Sequence, residues 1–185
     1  MDDRGTQAVT AELRSRGIGT VRFNFLYRHC ASSRPDRMPD LMRCMAAVVE
    51  HTREALRPRT LVIGGRSMGG RTASMLGAQG LACDGLLLLA YPLHPAGQPE
   101  KLRDAHLRQI QRPVLCLNGT RDALCRRDLM ERVLTGVGPD WQMHWLEGAD
   151  HSFRVLKSCG RTADDVLQEV GTASERWLSK LYAGA

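Results

Sequence analysis

The sequence predicts an α/β domain, a mostly parallel sheet with helices on both faces. Three observations carry this. Short apolar runs rich in Val, Ile and Leu recur along the chain, as strands buried on both faces require. Segments whose apolar residues repeat with the helical period lie between those runs. Length and composition agree, since 185 residues with 43% hydrophobic and 25% charged content suit one globular domain with its own core. No repeat, low-complexity stretch or linker divides residues 1–185, so a single domain is expected.

Taken in order, a first helix over about Gln7 to Arg16 should stop at Gly17. Strands are predicted at Gly19–Phe25, Arg59–Gly64, Gly85–Ala90, Pro113–Leu117 and Gln142–Leu146. The spacing of Leu41, Met45, Val48, Val49 and Thr52 places a helix between the first two. Gly69, Gly70, Thr72 and Ala73 open the helix after the second strand, and their small size lets it lie close to the sheet. Val166, Val170, Ala173, Trp177 and Leu181 mark the last helix, with Thr162 and Asp165 as its capping box.

Composition excludes several classes. The net charge is +6, yet only Lys101, Lys157 and Lys180 are lysines and the arginines are spread along the whole chain. With 5% aromatic residues and no nucleic-acid-binding motif, no nucleic-acid partner is expected. The densest basic segment, Arg28–Arg43, gives a weak attraction for acidic substrates. No apolar run is long enough to cross a membrane, and the opening MDDRGTQ has no apolar leader, so a cytoplasmic protein is expected. Cys30, Cys44, Cys83, Cys116, Cys125 and Cys159 are scattered, with no C-x-x-C pair. Reduced structural thiols are expected, with no metal and no other cofactor. The sequence leaves the oligomeric state open.

In a parallel sheet, chemistry gathers at the carboxyl ends of the strands. After the second predicted strand comes Gly65-Arg66-Ser67-Met68-Gly69. A serine on a strand-to-helix turn has a strained backbone, and side chains two residues to either side would collide with neighbouring elements. Glycine at Gly65 and Gly69 removes that collision, which is the physical sense of G-x-S-x-G. Asp122 follows the fourth predicted strand and His151 the fifth. Each comes from a different strand end, so the three can converge.

The chemistry needs each residue type. A serine hydroxyl becomes a good nucleophile when a neutral imidazole takes its proton. A carboxylate on the other ring nitrogen fixes the tautomer and stabilises the imidazolium. The expected roles are therefore Ser67 nucleophile, His151 base then acid, Asp122 orienting carboxylate, and the Met68 backbone N–H one oxyanion donor. The plain alternative for Ser67 is a small residue in a glycine-rich turn. Asp150 abuts His151, but adjacent side chains diverge, so it reads as a turn residue. His94, also after a strand, is a candidate for substrate contact, though its place among prolines equally suits a loop residue. His144 reads as structural, and His29, His51 and His106 have no supporting context.

The pieces "RGIGTVRFNFLY", "VIGGRSMGGRTASML", "YPLHPAGQPEKLRDAHL", "LNGTRDALC" and "ADHSFRVLKSCGRT" span nearly the full length. On them the chain resembles the bacterial α/β-hydrolases grouped with testis-expressed protein 30 and the NSL3-like proteins, often described as dienelactone-hydrolase-like. The resemblance implies the α/β-hydrolase fold and puts nucleophile, acid and base on Ser67, Asp122 and His151. It implies no substrate, because members are mostly uncharacterised and some animal relatives act within chromatin-associated assemblies. Where relatives commonly have Phe-Pro-Tyr, this chain has Phe25-Leu26-Tyr27.

The resemblance also implies a leading apolar strand and a His-Gly-rich turn before the first helix. The strand would lie between those ending at Phe25 and Gly64, and the turn would supply the second oxyanion donor. Met1-Asp2 falls where that turn has just ended. A truncated form with weak activity is therefore expected, its two flanking strands pairing with each other or with another chain. Two functions compete. One is a serine hydrolase acting on a small-molecule ester, thioester or lactone; the other is a non-catalytic interaction module that keeps the fold.

Overall fold

Alternation within the apolar runs decides which side chain enters which layer. In the run Gly85–Leu89, Leu86 and Leu88 join one core cluster while Leu87 and Leu89 join the other. Val114 and Cys116 part from Leu115 and Leu117 in the same way. A strand turns successive side chains to opposite faces, so both runs are buried on two sides. The computed structural model describes residues 3–30, 32 and 34–183; Met1 and Asp2, where the expected turn would end, lie outside the described residues.

Four strands, β1 (Val62–Arg66), β2 (Gly85–Leu89), β3 (Val114–Gly119) and β4 (Trp141–Leu146), form a parallel sheet in the order β1-β2-β3-β4. The helices are α1 (Arg4–Ser15), α2 (Leu26–His29), α3 (Met38–Leu56), α4 (Met68–Ala78), α5 (Arg127–Leu134) and α6 (Ala163–Ala183). Met42, Met45 and Val49 of α3, Ala73 and Leu76 of α4, and Leu129, Met130 and Val133 of α5 cover one face. On the other face, Val9 and Leu13 of α1 meet Val166, Val170, Trp177 and Leu178 of α6. Helices on both faces of a parallel sheet are what the sequence predicts.

Local signals also hold. Gly17 N–H donates to Arg14 O (3.0 Å) and Ile18 N–H to Leu13 O (3.1 Å), the paired bonds of a Schellman stop at the end of α1. Thr162 and Asp165 bond reciprocally before α6: Thr162 N–H reaches the carboxylate at 2.7 Å and Asp165 N–H reaches Thr162 Oγ1 at 3.1 Å.

One predicted strand is corrected. Gly19–Phe25 joins no ladder among the described residues, and β1 pairs only with β2. Direct pairing between this segment and β1, one of the two expected outcomes, does not occur. Its alternating pattern serves ring packing instead. Phe23 and Phe25 meet edge to face with centroids 5.1 Å apart and pack on the α3–α4 side of the core. Val21 between the faces is exposed.

Candidate active site

The carboxyl ends of β1, β3 and β4 carry the three residues singled out by the sequence. Ser67 stands between β1 and α4 with φ 52° and ψ −115°, a conformation that costs a non-glycine residue energy. Two bonds hold it there: Ser67 N–H donates to Leu89 O at 2.8 Å, and Arg71 N–H donates to Ser67 O at 3.0 Å. A β-carbon on Gly65 would lie 2.8 Å from the Gly69 carbonyl carbon, and one on Gly70 would lie 2.7 Å from the Gly65 oxygen. The close approach is thus between Gly65 and the Gly69–Gly70 peptide. At Gly69 a β-carbon meets nothing within 4 Å, which corrects the expectation that Gly69 avoids a collision.

Asp122 is buried in the turn after β3. Its Oδ1 accepts Leu124 N–H (2.8 Å) and its Oδ2 accepts the Asn118 side-chain amide (3.1 Å). Asn118 in turn exchanges bonds of 3.0 Å with both Tyr91 N–H and Tyr91 O, tying the acid's turn to the end of β2. A β-carbon on Gly119 would lie 2.1 Å from Ala149 O, so glycine there lets the turn bearing His151 close onto the turn bearing Asp122. Asp150 spends its Oδ1 on Ser152 N–H (2.7 Å) and Arg154 N–H (3.0 Å). It shapes the turn and does not face the imidazole.

The structure brings Ser67, Asp122 and His151 together. His151 Nδ1 lies 2.8 Å and 3.0 Å from the two Asp122 oxygens, and His151 Nε2 lies 2.9 Å from Ser67 Oγ. A carboxylate only accepts, so Nδ1 carries the proton and Nε2 presents its lone pair to the serine hydroxyl. Arg66 adds a tether: its guanidinium donates to His151 O at 2.9 Å and approaches Asp3, the N-cap of α1, at 3.4 Å. Burial pushes the Asp3 carboxyl up, but bonds from Thr6 and the nearby Arg66 outweigh it and hold the group below its ordinary range.

The other histidines do not join the group. His94 is buried; its Nε2 accepts Arg126 N–H (3.2 Å), so Nδ1 donates to Pro95 O (3.0 Å). Both nitrogens are occupied by backbone, which corrects its candidacy for substrate contact. His144 pairs with Glu169 at 2.7 Å, a structural role as expected. His106 bonds Ser74 Oγ at 2.8 Å, and burial together with the charge of Arg71 holds its imidazole below the ordinary histidine value.

A cavity of about 320 Å³ opens on Ser67 and Met68, walled by Arg71, Arg103, Asp36 and apolar side chains. Sequence reading missed both arginines, because nothing in their local context marks them among so many. It also missed Asn118, whose signal was available: a polar residue closing an apolar strand two positions beyond Cys116. Among the described residues, no cluster of three His, Cys, Asp or Glu side chains is placed to hold a metal ion, and no helix is long and apolar enough to cross a membrane.

A parallel sheet with this serine turn between β1 and α4 defines the α/β-hydrolase class. Residues 1–179 match the family model described as alpha/beta hydrolase domain, and the chain belongs to that family. Among solved structures it is similar to an alpha-beta serine hydrolase homologue from Coxiella burnetii, with TM-score 0.74 and 17% identity over 94% of this chain and 77% of that one. It is also similar to an α/β serine hydrolase without lid from Xanthomonas campestris, with TM-score 0.73 and 23% identity over 96% of this chain and 75% of that one.

Proposed function

We propose that the chain is a serine hydrolase that transfers the acyl group of a small ester, thioester or lactone to water. The observation that carries this reading is the continuous line from Asp122 through His151 to Ser67 Oγ, closed by contacts of 2.8 Å and 2.9 Å. Ser67 Oγ bonds the carbonyl carbon while its proton passes to His151 Nε2. Asp122 holds the imidazolium that results. Met68 is the first residue of α4, so no intrahelical acceptor claims its N–H, which is free to receive the oxyanion. The oxyanion then collapses, the bond to the leaving oxygen or sulfur breaks, and His151 gives its proton to that group. Water attacks the acyl-serine next, and its proton returns by way of His151 to Ser67 Oγ as the carboxylic acid departs. The closer affinity to the testis-expressed protein 30 and NSL3-like group is part of the same proposal and rests on the quoted segments.

A fluorophosphonate probe tests it. Wild-type protein should be labelled on Ser67, and Ser67→Ala and His151→Ala should each lose labelling while keeping the far-ultraviolet dichroism of the wild type. Unlabelled wild type, under conditions that label a known esterase, would leave the interaction-module reading in its place.

A further inference from the structure

Several exposed arginines of this chain have acids beside them: Arg43 with Asp40, Arg126 with Asp128, Arg127 with Glu131. The two arginines on the wall of the Ser67 cavity do not. Arg71 is half-buried on α4, and its Nε is buried without a hydrogen-bond partner. Arg103 is half-buried too, and its guanidinium reaches only Pro92 O, at 3.5 Å. Neither has an ion-pair partner among the described residues. Both side chains line the same cavity, and burial, then the charge of Arg71, hold Arg103 below the ordinary arginine value. Asp36, the acid on the wall, accepts Tyr27 N–H at Oδ2 (3.0 Å) and pairs with neither arginine.

Two half-buried cations without an ion-pair partner among the described residues are costly. Their backbones are held in place. Arg103 N–H donates to Leu93 O (2.7 Å) and its carbonyl accepts the Tyr91 hydroxyl (2.6 Å), while Arg71 rides on the turn that fixes Ser67. Guanidinium forks match a planar carboxylate, two bonds at a time. A volume of about 320 Å³ lies at the low end for small-molecule sites, which run from roughly 300 to 1,000 Å³.

We propose that Arg71 and Arg103 recognise an anionic group beside Ser67, and that the substrate is a small ester, thioester or lactone bearing a carboxylate. This rests on the hydrolase reading of Ser67 and adds the substrate's charge to it.

Two matched substrate pairs test the proposal by proton release in a pH-stat. Monoethyl glutarate against ethyl pentanoate places the carboxylate on the acyl side; 4-acetoxybutanoate against butyl acetate places it on the alcohol side. In at least one pair the anion should be preferred by about tenfold or more in kcat/KM, the worth of one charge-assisted contact. Arg71→Gln and Arg103→Gln should each lower that ratio by about tenfold. No anion preference in either pair, or a ratio unchanged in both variants, overturns the proposal while Ser67 chemistry stands. If no ester is turned over and Ser67 is not labelled, the hydrolase reading falls instead. Titration of Ser67→Ala with the same four compounds by NMR, which needs no catalysis, then decides: tighter binding of an anion than of its neutral match, weakened in Ser67→Ala/Arg71→Gln, upholds the arginine site, and equal binding removes it.

Discussion

Asp122 and His151 stand 29 positions apart in the chain, yet His151 Nδ1 lies within 3.0 Å of both Asp122 oxygens. The Asp122 carboxylate is fully buried and already accepts bonds from Leu124 N–H and the Asn118 amide. It is therefore fixed before the imidazole meets it, and it dictates which ring nitrogen carries the proton. Asp122→Asn should slow ester hydrolysis by about 10⁴ in kcat, the cost of the wrong tautomer in a Ser-His-Asp triad. Asp150→Asn keeps an Oδ1 that still accepts both turn bonds, so it should change stability by less than about 1 kcal/mol and turnover far less than Asp122→Asn. Steady-state rates and urea midpoints for the two variants check the ranking. The reverse order would place the acid on the other turn.

The close contact in the serine turn predicts a second contrast. At Gly70 a β-carbon would press a backbone oxygen at 2.7 Å, and backbone cannot swing aside as a flexible side chain does. Gly70→Ala should destabilise by about 1–3 kcal/mol, the usual cost of overpacking, and should weaken probe labelling of Ser67. Gly69→Ala enters open space on a helix and should be neutral or slightly stabilising. Denaturant melts of both variants give the answer; equal losses would show that the steric account is wrong.

Much of this was legible in the sequence because it is local. Buried parallel strands are nearly unbroken apolar runs, and the residues that follow them gather at one end of the sheet, so the candidates Ser67, Asp122 and His151 could be picked out from strand ends alone. What failed was not local. Gly19–Phe25 has the composition of a strand, but a ladder needs a neighbour, and its rings found packing without one. His94 has a strand-end position, but its nitrogens are claimed by the Pro95 carbonyl and Arg126 amide. Arg71 and Arg103 are separated by most of α4, by β2 and by a loop, and only folding reveals that neither has an ion-pair partner among the described residues.

Thiol reactivity should divide the cysteines by burial. All six are free thiols; Cys30 is exposed, whereas Cys116 and Cys125 are buried. Burial, with the nearby Asp122 charge adding to it, pushes both of the buried thiols up, and the thiolate is the reactive form. In native protein a disulfide reagent such as Ellman's should modify Cys30 quickly and leave Cys116 and Cys125 intact until denaturant is added. Peptide mapping after a short exposure reads this out, and early loss of Cys116 would contradict the packing described.

Acid stability should depend on Glu169, which joins α6 to β4. Burial pushes its carboxyl up, but hydrogen bonds from His144 and Arg161 outweigh that and hold it below the ordinary value of 4.5. The unfolded chain then binds this proton more readily than the native one. Its contribution to stability is complete above pH 4.5, shrinks as pH falls below that value, and is gone once pH passes the lower native value. The group is partly solvated, so the contribution should be at most about 1 kcal/mol, or roughly 2–4 °C in Tm for a chain of this size. Glu169→Gln should lower Tm by that order at pH 7 and flatten the loss of stability on the acid side. Urea unfolding of both proteins at several pH values between 7 and 3 measures it. Parallel curves, with the variant losing stability on acidification as steeply as wild type, would show that the native carboxyl titrates as it does in the unfolded chain.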